Sequence, residues 1–123
     1  MVRILLIDDD EVFLRALPAA LKSSAPMMTI DTAATAEHAL RLIQDVDFDV
    51  IVSDWKMPGL NGMHLYEQLL GTDPKSAGRM LFMTGDVINE GFQEFLRKNA
   101  RACLSKPFAI EEFRAAVANV IIK

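Results

Sequence analysis

Three aspartates stand together at Asp8-Asp9-Asp10, a fourth acid stands alone at Asp54, a hydroxyl stands at Thr84 and a cation at Lys106. Carboxylates that converge repel one another and raise one another's pKa unless a cation or a proton joins them. A site of hard oxygens, without nitrogen or sulfur donors, favours Mg²⁺, with Mn²⁺ as the nearest alternative, over zinc or copper. A divalent cation between Asp9 and Asp54, a lysine reaching in from elsewhere and a neighbouring hydroxyl are the parts that phosphoryl transfer needs. The Asp54 carboxylate, ionised at neutral pH, would serve as nucleophile without a separate base and would form an acyl phosphate. Each residue also has a plainer reading. Asp10 suits a helix N-cap, Asp54 the start of the turn Pro58-Gly59-Leu60-Asn61-Gly62, Thr84 an ordinary strand end and Lys106 a solvated surface cation. Singly these plainer readings are favoured; it is the combination that points to chemistry.

The elements that must bring these residues together are legible as short apolar runs. Val2 to Ile7, Asp49 to Ser53, Met80 to Thr84 and Ala102 to Ser105 read as strands buried on both faces, and Met28 to Ala33 as a weaker fifth. Helical spacing of apolar residues fills the gaps: Val12, Leu14, Leu17 and Leu21; Ala36 to Gln44; Met63 to Leu70; Phe92, Phe95 and Leu96; and Ile110 to Ile121, opened by Glu111 and Glu112. Pro18 is expected to kink the first helix or loosen its first half. Thr72 to Gly78 reads as a surface loop. Strand and helix alternate throughout, which predicts an α/β fold: a doubly wound five-stranded parallel sheet, flavodoxin-like in order 2-1-3-4-5, with helices on both faces. In such a sheet functional groups gather at the carboxyl ends of the strands, where Asp8, Asp9, Asp54, Thr84 and Lys106 all fall.

With 123 residues the chain suits one domain spanning 1–123. A net charge of −4 and the absence of a Lys/Arg run argue against direct nucleic-acid binding or membrane contact. The one cysteine, Cys103, allows no internal disulfide and no zinc site of common spacing, and no signal-peptide core opens the chain. A cytoplasmic setting is the expectation.

The order and spacing of these motifs resemble, over essentially the whole chain, the response-regulator receiver domains of two-component signalling, whether the receiver of a hybrid sensor histidine kinase or a stand-alone regulator. Asp8 and Asp9 resemble the acidic pair after the first strand, and Asp54 in Val52-Ser53-Asp54-Trp55-Lys56-Met57-Pro58-Gly59 the phosphoacceptor. Thr84 in Phe82-Met83-Thr84-Gly85 is similar to the hydroxyl of the fourth strand, and Lys106 in Ser105-Lys106-Pro107-Phe108 to the invariant lysine. The resemblance implies a metal site of Asp8, Asp9, Asp54 and the Lys56 carbonyl, and a cis Lys106-Pro107 peptide. It also implies phosphorylation by a histidine kinase or phosphotransfer protein, followed by self-catalysed hydrolysis. On that reading the chain is a signalling domain that catalyses only its own phosphoryl transfer and hydrolysis, and a downstream protein reads the change. Lys56 and Asp86 fall where the family tunes loss of the phosphoryl group, and they are candidates to pair across the site mouth. Dimerisation is compatible with the pattern but has no sequence support.

Two positions depart from the family pattern. Cys103 stands where many members carry Tyr or Phe, so the aromatic switch that follows the movement of Thr84 is missing; transmission is expected to use the loop after Thr84 and the following helix. Cys103 itself reads as a buried strand residue, with redox sensing a remote alternative. Asn99 stands where glycine commonly precedes the fifth strand, and Asn suits the left-handed turn expected there. The competing function is a pseudo-receiver that binds protein partners without phosphorylation. A small flavodoxin-like or metal-dependent hydrolytic enzyme fits less well, for want of a phosphate-cradling Gly-rich loop.

Overall fold

The computed structural model describes residues 1–24, 27–57, 61–85 and 90–122. Along the chain run β1 (Val2–Ile7), α1 (Glu11–Ser24), β2 (Met28–Ala33), α2 (Ala36–Asp45), β3 (Val50–Asp54), α3 (Gly62–Thr72), α4 (Pro74–Ala77), β4 (Met80–Thr84), α5 (Glu90–Lys98), β5 (Cys103–Ser105) and α6 (Ile110–Ile121). The five strands pair in parallel in the order β2-β1-β3-β4-β5, the doubly wound topology expected from the alternation of elements.

Successive strand residues face opposite sides of the sheet, and the core divides accordingly. Ile4, Leu6, Val50, Val52, Leu81 and Met83 pack with Leu14, Leu17, Leu21, Phe113 and Val117 of α1 and α6. Leu5, Ile7, Ile51, Met80 and Phe82 pack on the other side with Ala39, Ile43, Leu65, Tyr66, Leu69 and Phe92 of α2, α3 and α5. Both faces of β3 and β4 are covered, and all five residues of each strand are buried. This explains their unalternating apolar sequences. Burial of a Leu or Ile side chain contributes about 1.5–3 kcal/mol relative to exposure, so the two layers hold the sheet rigid beneath its charged end.

The helix starts follow capping chemistry. The Thr35 hydroxyl accepts the His38 N–H, and the Asn61 side chain accepts the His64 N–H at 2.9 Å. Asp10 caps α1 as expected, its Oδ1 accepting the N–H groups of Val12 and Phe13 at 3.1 and 3.2 Å.

Three local expectations are corrected. Residues 72–78 are not simply a loop: Asp73 caps the short α4, Pro74 occupies its first turn, and Ala77 is fully buried. A proline at that position lacks only an N–H that the helix leaves unpaired anyway. Around Pro18, α1 continues as a single helix on both sides, so its first half is not loosened; the apolar face of Leu14, Leu17 and Leu21 holds it against the sheet. The left-handed residue before β5 is Ala100, with φ of 52°, rather than Asn99. Asn99 instead turns its side-chain amide back to donate to the Phe95 carbonyl at 2.9 Å, capping the end of α5.

Candidate functional site

The carboxyl ends of β1, β3, β4 and β5 place the predicted residues at one edge. β1 delivers Asp8 and Asp9, β3 ends in Asp54, β4 ends in Thr84, and Lys106 follows β5 directly. Backbone hydrogen bonds fix the register of this edge. The Trp55 N–H donates to the Met83 carbonyl, and the Lys106 N–H to the Thr84 carbonyl, both at 2.8 Å. Gly62 lies so close that a side chain there would put its Cβ 2.8 Å from the Asp54 carbonyl oxygen. Only a residue without Cβ lets α3 start against the end of β3.

Asp8, Asp54 and Thr84 are buried polar residues, while Asp9 is exposed. Carboxylate oxygens of Asp8, Asp9 and Asp54 lie within 4.8 Å of one another. Lys106 reaches across: its Nζ donates to Asp8 Oδ2 at 2.5 Å and lies 3.6 Å from Asp54 Oδ1. The other oxygen of Asp8 accepts the Asp10 N–H at 3.0 Å, tying the acidic pair to the start of α1. The Lys106-Pro107 peptide is cis, as anticipated.

Burial, with the negative charges of Asp8 and Asp9 beside it, pushes the Asp54 carboxyl up to about 6; the Lys106 ammonium offsets this only in part. A buried carboxylate among like charges is short of positive charge. The three acids offer hard oxygen donors, and a divalent cation there would relieve their repulsion. The donor set therefore fits Mg²⁺ or Mn²⁺.

The remaining predicted residues are less closely joined. Lys56 is exposed just beyond β3. Asp86, its expected partner, lies outside the described residues, as do the Pro58-Gly59-Leu60 part of the turn and the rest of residues 86–89 in the segment after Thr84. Cys103 is half-buried rather than buried, and its thiol is pushed up to about 11 by burial and by the charge of Asp54. A thiol held protonated is a poor nucleophile, which weighs against redox sensing.

Sequence reasoning overlooked two aromatic contributions. Trp55, directly after Asp54, stacks on Phe92 with ring centroids 3.6 Å apart and also meets Phe82 and Phe95. Phe13 places its ring beneath the Lys106 ammonium, 4.4 Å from Nζ to the ring centroid. The position of Phe13 three residues after the capping Asp10 was the available signal: it puts the ring one helical turn from the acidic cluster.

The sheet order and the acidic edge define a class, and comparison with known proteins agrees with it. Residues 4–118 match the response regulator receiver domain, and the chain belongs to that family, a signalling domain of two-component systems. It is similar to the transcriptional regulatory protein LiaR of Bacillus subtilis, at 32% identity over 108 residues covering 83% of this chain and 51% of LiaR. It is also similar to probable histidine kinase 6 of Oryza sativa subsp. japonica, at 26% identity covering 97% of this chain and 14% of that protein. Among solved structures, the chemotaxis protein CheY4 of Vibrio cholerae superposes with a TM-score of 0.81 at 26% identity, covering 98% of each chain. The chain spans about half the length of several curated relatives it matches, with 44%, 51% and 56% covered in three of them. No described helix is long and apolar enough to cross a membrane.

Proposed function

We propose that this chain is a phosphoacceptor receiver domain whose Asp54 takes a phosphoryl group, in a Mg²⁺-dependent reaction, from a histidine kinase or a phosphotransfer protein. The observation that carries the reading is the meeting of Asp8, Asp9, Asp54 and Lys106 at the carboxyl ends of three strands. Asp8, Asp9, Asp54 and the Lys56 carbonyl would hold the cation, which supplies positive charge to the phosphoryl oxygens and to the crowded carboxylates.

The protein's own groups do the rest. An Asp54 carboxylate oxygen forms a bond to phosphorus as the bond from phosphorus to the donor's leaving atom breaks, and the leaving group departs with the electron pair. Lys106 exchanges part of its attraction to Asp8 for one to a phosphoryl oxygen. The Thr84 hydroxyl, at the end of β4, would donate to another. A water then forms a bond to phosphorus as the bond from phosphorus to Asp54 breaks, which releases phosphate and restores the carboxylate, and Lys56 and Asp86 set the pace of that step. In this role the chain catalyses only its own phosphorylation and dephosphorylation. Its output partner is a protein, reached through movement of α5.

Incubation with acetyl phosphate tests the reading. Labelling that requires Mg²⁺ and disappears on adding a chelator is expected. A folded chain that takes no label with any divalent cation would instead be a phosphorylation-independent binding module.

A further inference from the structure

Lys106 has three N–H donors and a long, flexible stem, yet its side chain is only 21% exposed. Two acids draw the ammonium from one side, Asp8 at 2.5 Å and Asp54 at 3.6 Å. The Phe13 ring lies against it, 4.4 Å away. A cation at that distance from a ring is attracted by the negative face of the π-system. The ring accepts no strong hydrogen bond, so it confines the ammonium without claiming the N–H groups that a phosphoryl oxygen will need. A carboxylate or an ordered water at the same place would compete for them.

Phe13 is itself held from two directions. Its N–H donates to the capping Asp10 at 3.2 Å, which fixes where the residue leaves the first turn of α1. Its ring meets Phe108 edge-on, with centroids 6.1 Å apart and planes at 88°, and Phe108 in turn stacks on the fully buried Phe113 of α6. The ring, carried by α1, is thus braced through Phe108 against α6 on the same side of the sheet. Together with Lys106, Phe13 and Phe108 line an open, largely apolar groove of about 570 Å³.

We infer that Phe13 is a positioning residue for phosphoryl transfer: the face of its ring holds the Lys106 ammonium at the edge of Asp54, ready for the incoming phosphoryl oxygens. The inference rests on the reading of Asp54 as phosphoacceptor. It predicts an electronic dependence that packing alone does not produce, because fluorine withdraws electron density from the ring face while changing the ring's size little.

The test is the rate of Asp54 labelling by acetyl phosphate at saturating Mg²⁺, with no partner protein present. The chain carries mono-, di- or trifluorinated phenylalanine at position 13, alongside Phe13→Leu and Phe13→Tyr. The rate is expected to fall stepwise with each fluorine and to be lowest for Phe13→Leu, by about 2-fold to 30-fold, the range such contacts sustain. Phe13→Tyr should stay near the unsubstituted chain. Ring-current shifts of the Lys106 side-chain methylenes, seen by NMR in the unsubstituted chain, should vanish in Phe13→Leu. A flat fluorine series in a chain that is labelled overturns the role of Phe13 even if Phe13→Leu is slow or unstable, and leaves the phosphoacceptor reading standing. An unsubstituted chain that takes no label overturns that reading and this inference with it.

Discussion

Asp47 and Asp54 flank the same strand, β3, yet the protein treats them in opposite ways. At the amino end, Asp47 is 72% exposed and faces Lys75 and Arg79 at 3.5 and 3.0 Å, and these cations lower its pKa. At the carboxyl end, Asp54 is buried beside Asp8 and Asp9, and its carboxyl is pushed up to about 6 despite Lys106. The first is an ordinary solvated ion pair, of the kind that adds little to stability. The second is a charge arrangement that costs stability and that a bound cation would relieve. The difference separates surface electrostatics, in which opposite charges meet in water, from a site in which like charges are held together by the rigid ends of buried strands.

The contrast can be broken most severely at Asp54. Asp54→Asn removes the proposed nucleophile and should abolish acetyl phosphate labelling altogether, as read by intact-protein mass spectrometry.

The same substitution should make the metal-free protein more stable. A carboxyl whose folded pKa rises from 3.8 to about 6 destabilises the fold when ionised. The penalty is absent below about pH 4, grows as pH rises to about 6 and is full above it; a shift of that size corresponds to on the order of 2–3 kcal/mol. Urea denaturation of the metal-free protein should therefore show Asp54→Asn more stable than the unsubstituted chain at pH 7, with the gap closing towards pH 4. Added Mg²⁺ should stabilise the unsubstituted chain more than the variant. Equal stabilities at pH 7 would mean that Asp54 is no more strained than Asp47.

Lys56, exposed at the rim, is expected to have a smaller effect. Lys56→Asn should change the decay rate of the acyl phosphate while leaving labelling in place; an unchanged rate would remove the Lys56 side chain, though not its carbonyl, from the site. Asp47→Asn marks the bottom of the scale, with labelling unaltered and denaturation midpoints at neutral pH close to the unsubstituted protein. A large loss there would show that the amino end is coupled to the site.

The fold was legible because both faces of the sheet are covered: short, continuous apolar runs such as Met80–Thr84 alternate along the chain with stripes at helical spacing such as Leu14, Leu17 and Leu21. The acidic edge was legible for a related reason, since a parallel sheet sends the ends of its strands to the same side. What escaped depended on side chains that meet across elements. The Phe13 ring under Lys106 joins α1 to the residue after β5, and the stack of Trp55 on Phe92 joins the end of β3 to α5; the spacing of Phe13 from Asp10 places its ring near the acidic edge but does not show the partner it meets, and the Trp55 stack leaves no local pattern. The turn before β5 was assigned to Asn99 on propensity, but the amide found a helix carbonyl and Ala100 took the left-handed conformation instead. At α4, a proline and an aspartate were read as loop signals although both also begin helices.

The most direct measurement of the central claim is the location of the phosphoryl group. After reaction with acetyl phosphate and Mg²⁺, borohydride reduction converts an aspartyl phosphate to homoserine, and peptide sequencing by mass spectrometry finds the altered position. The account predicts homoserine at residue 54 alone, dependent on Mg²⁺. Modification at Asp8 or Asp9 in place of Asp54, or none in a folded protein, would contradict it.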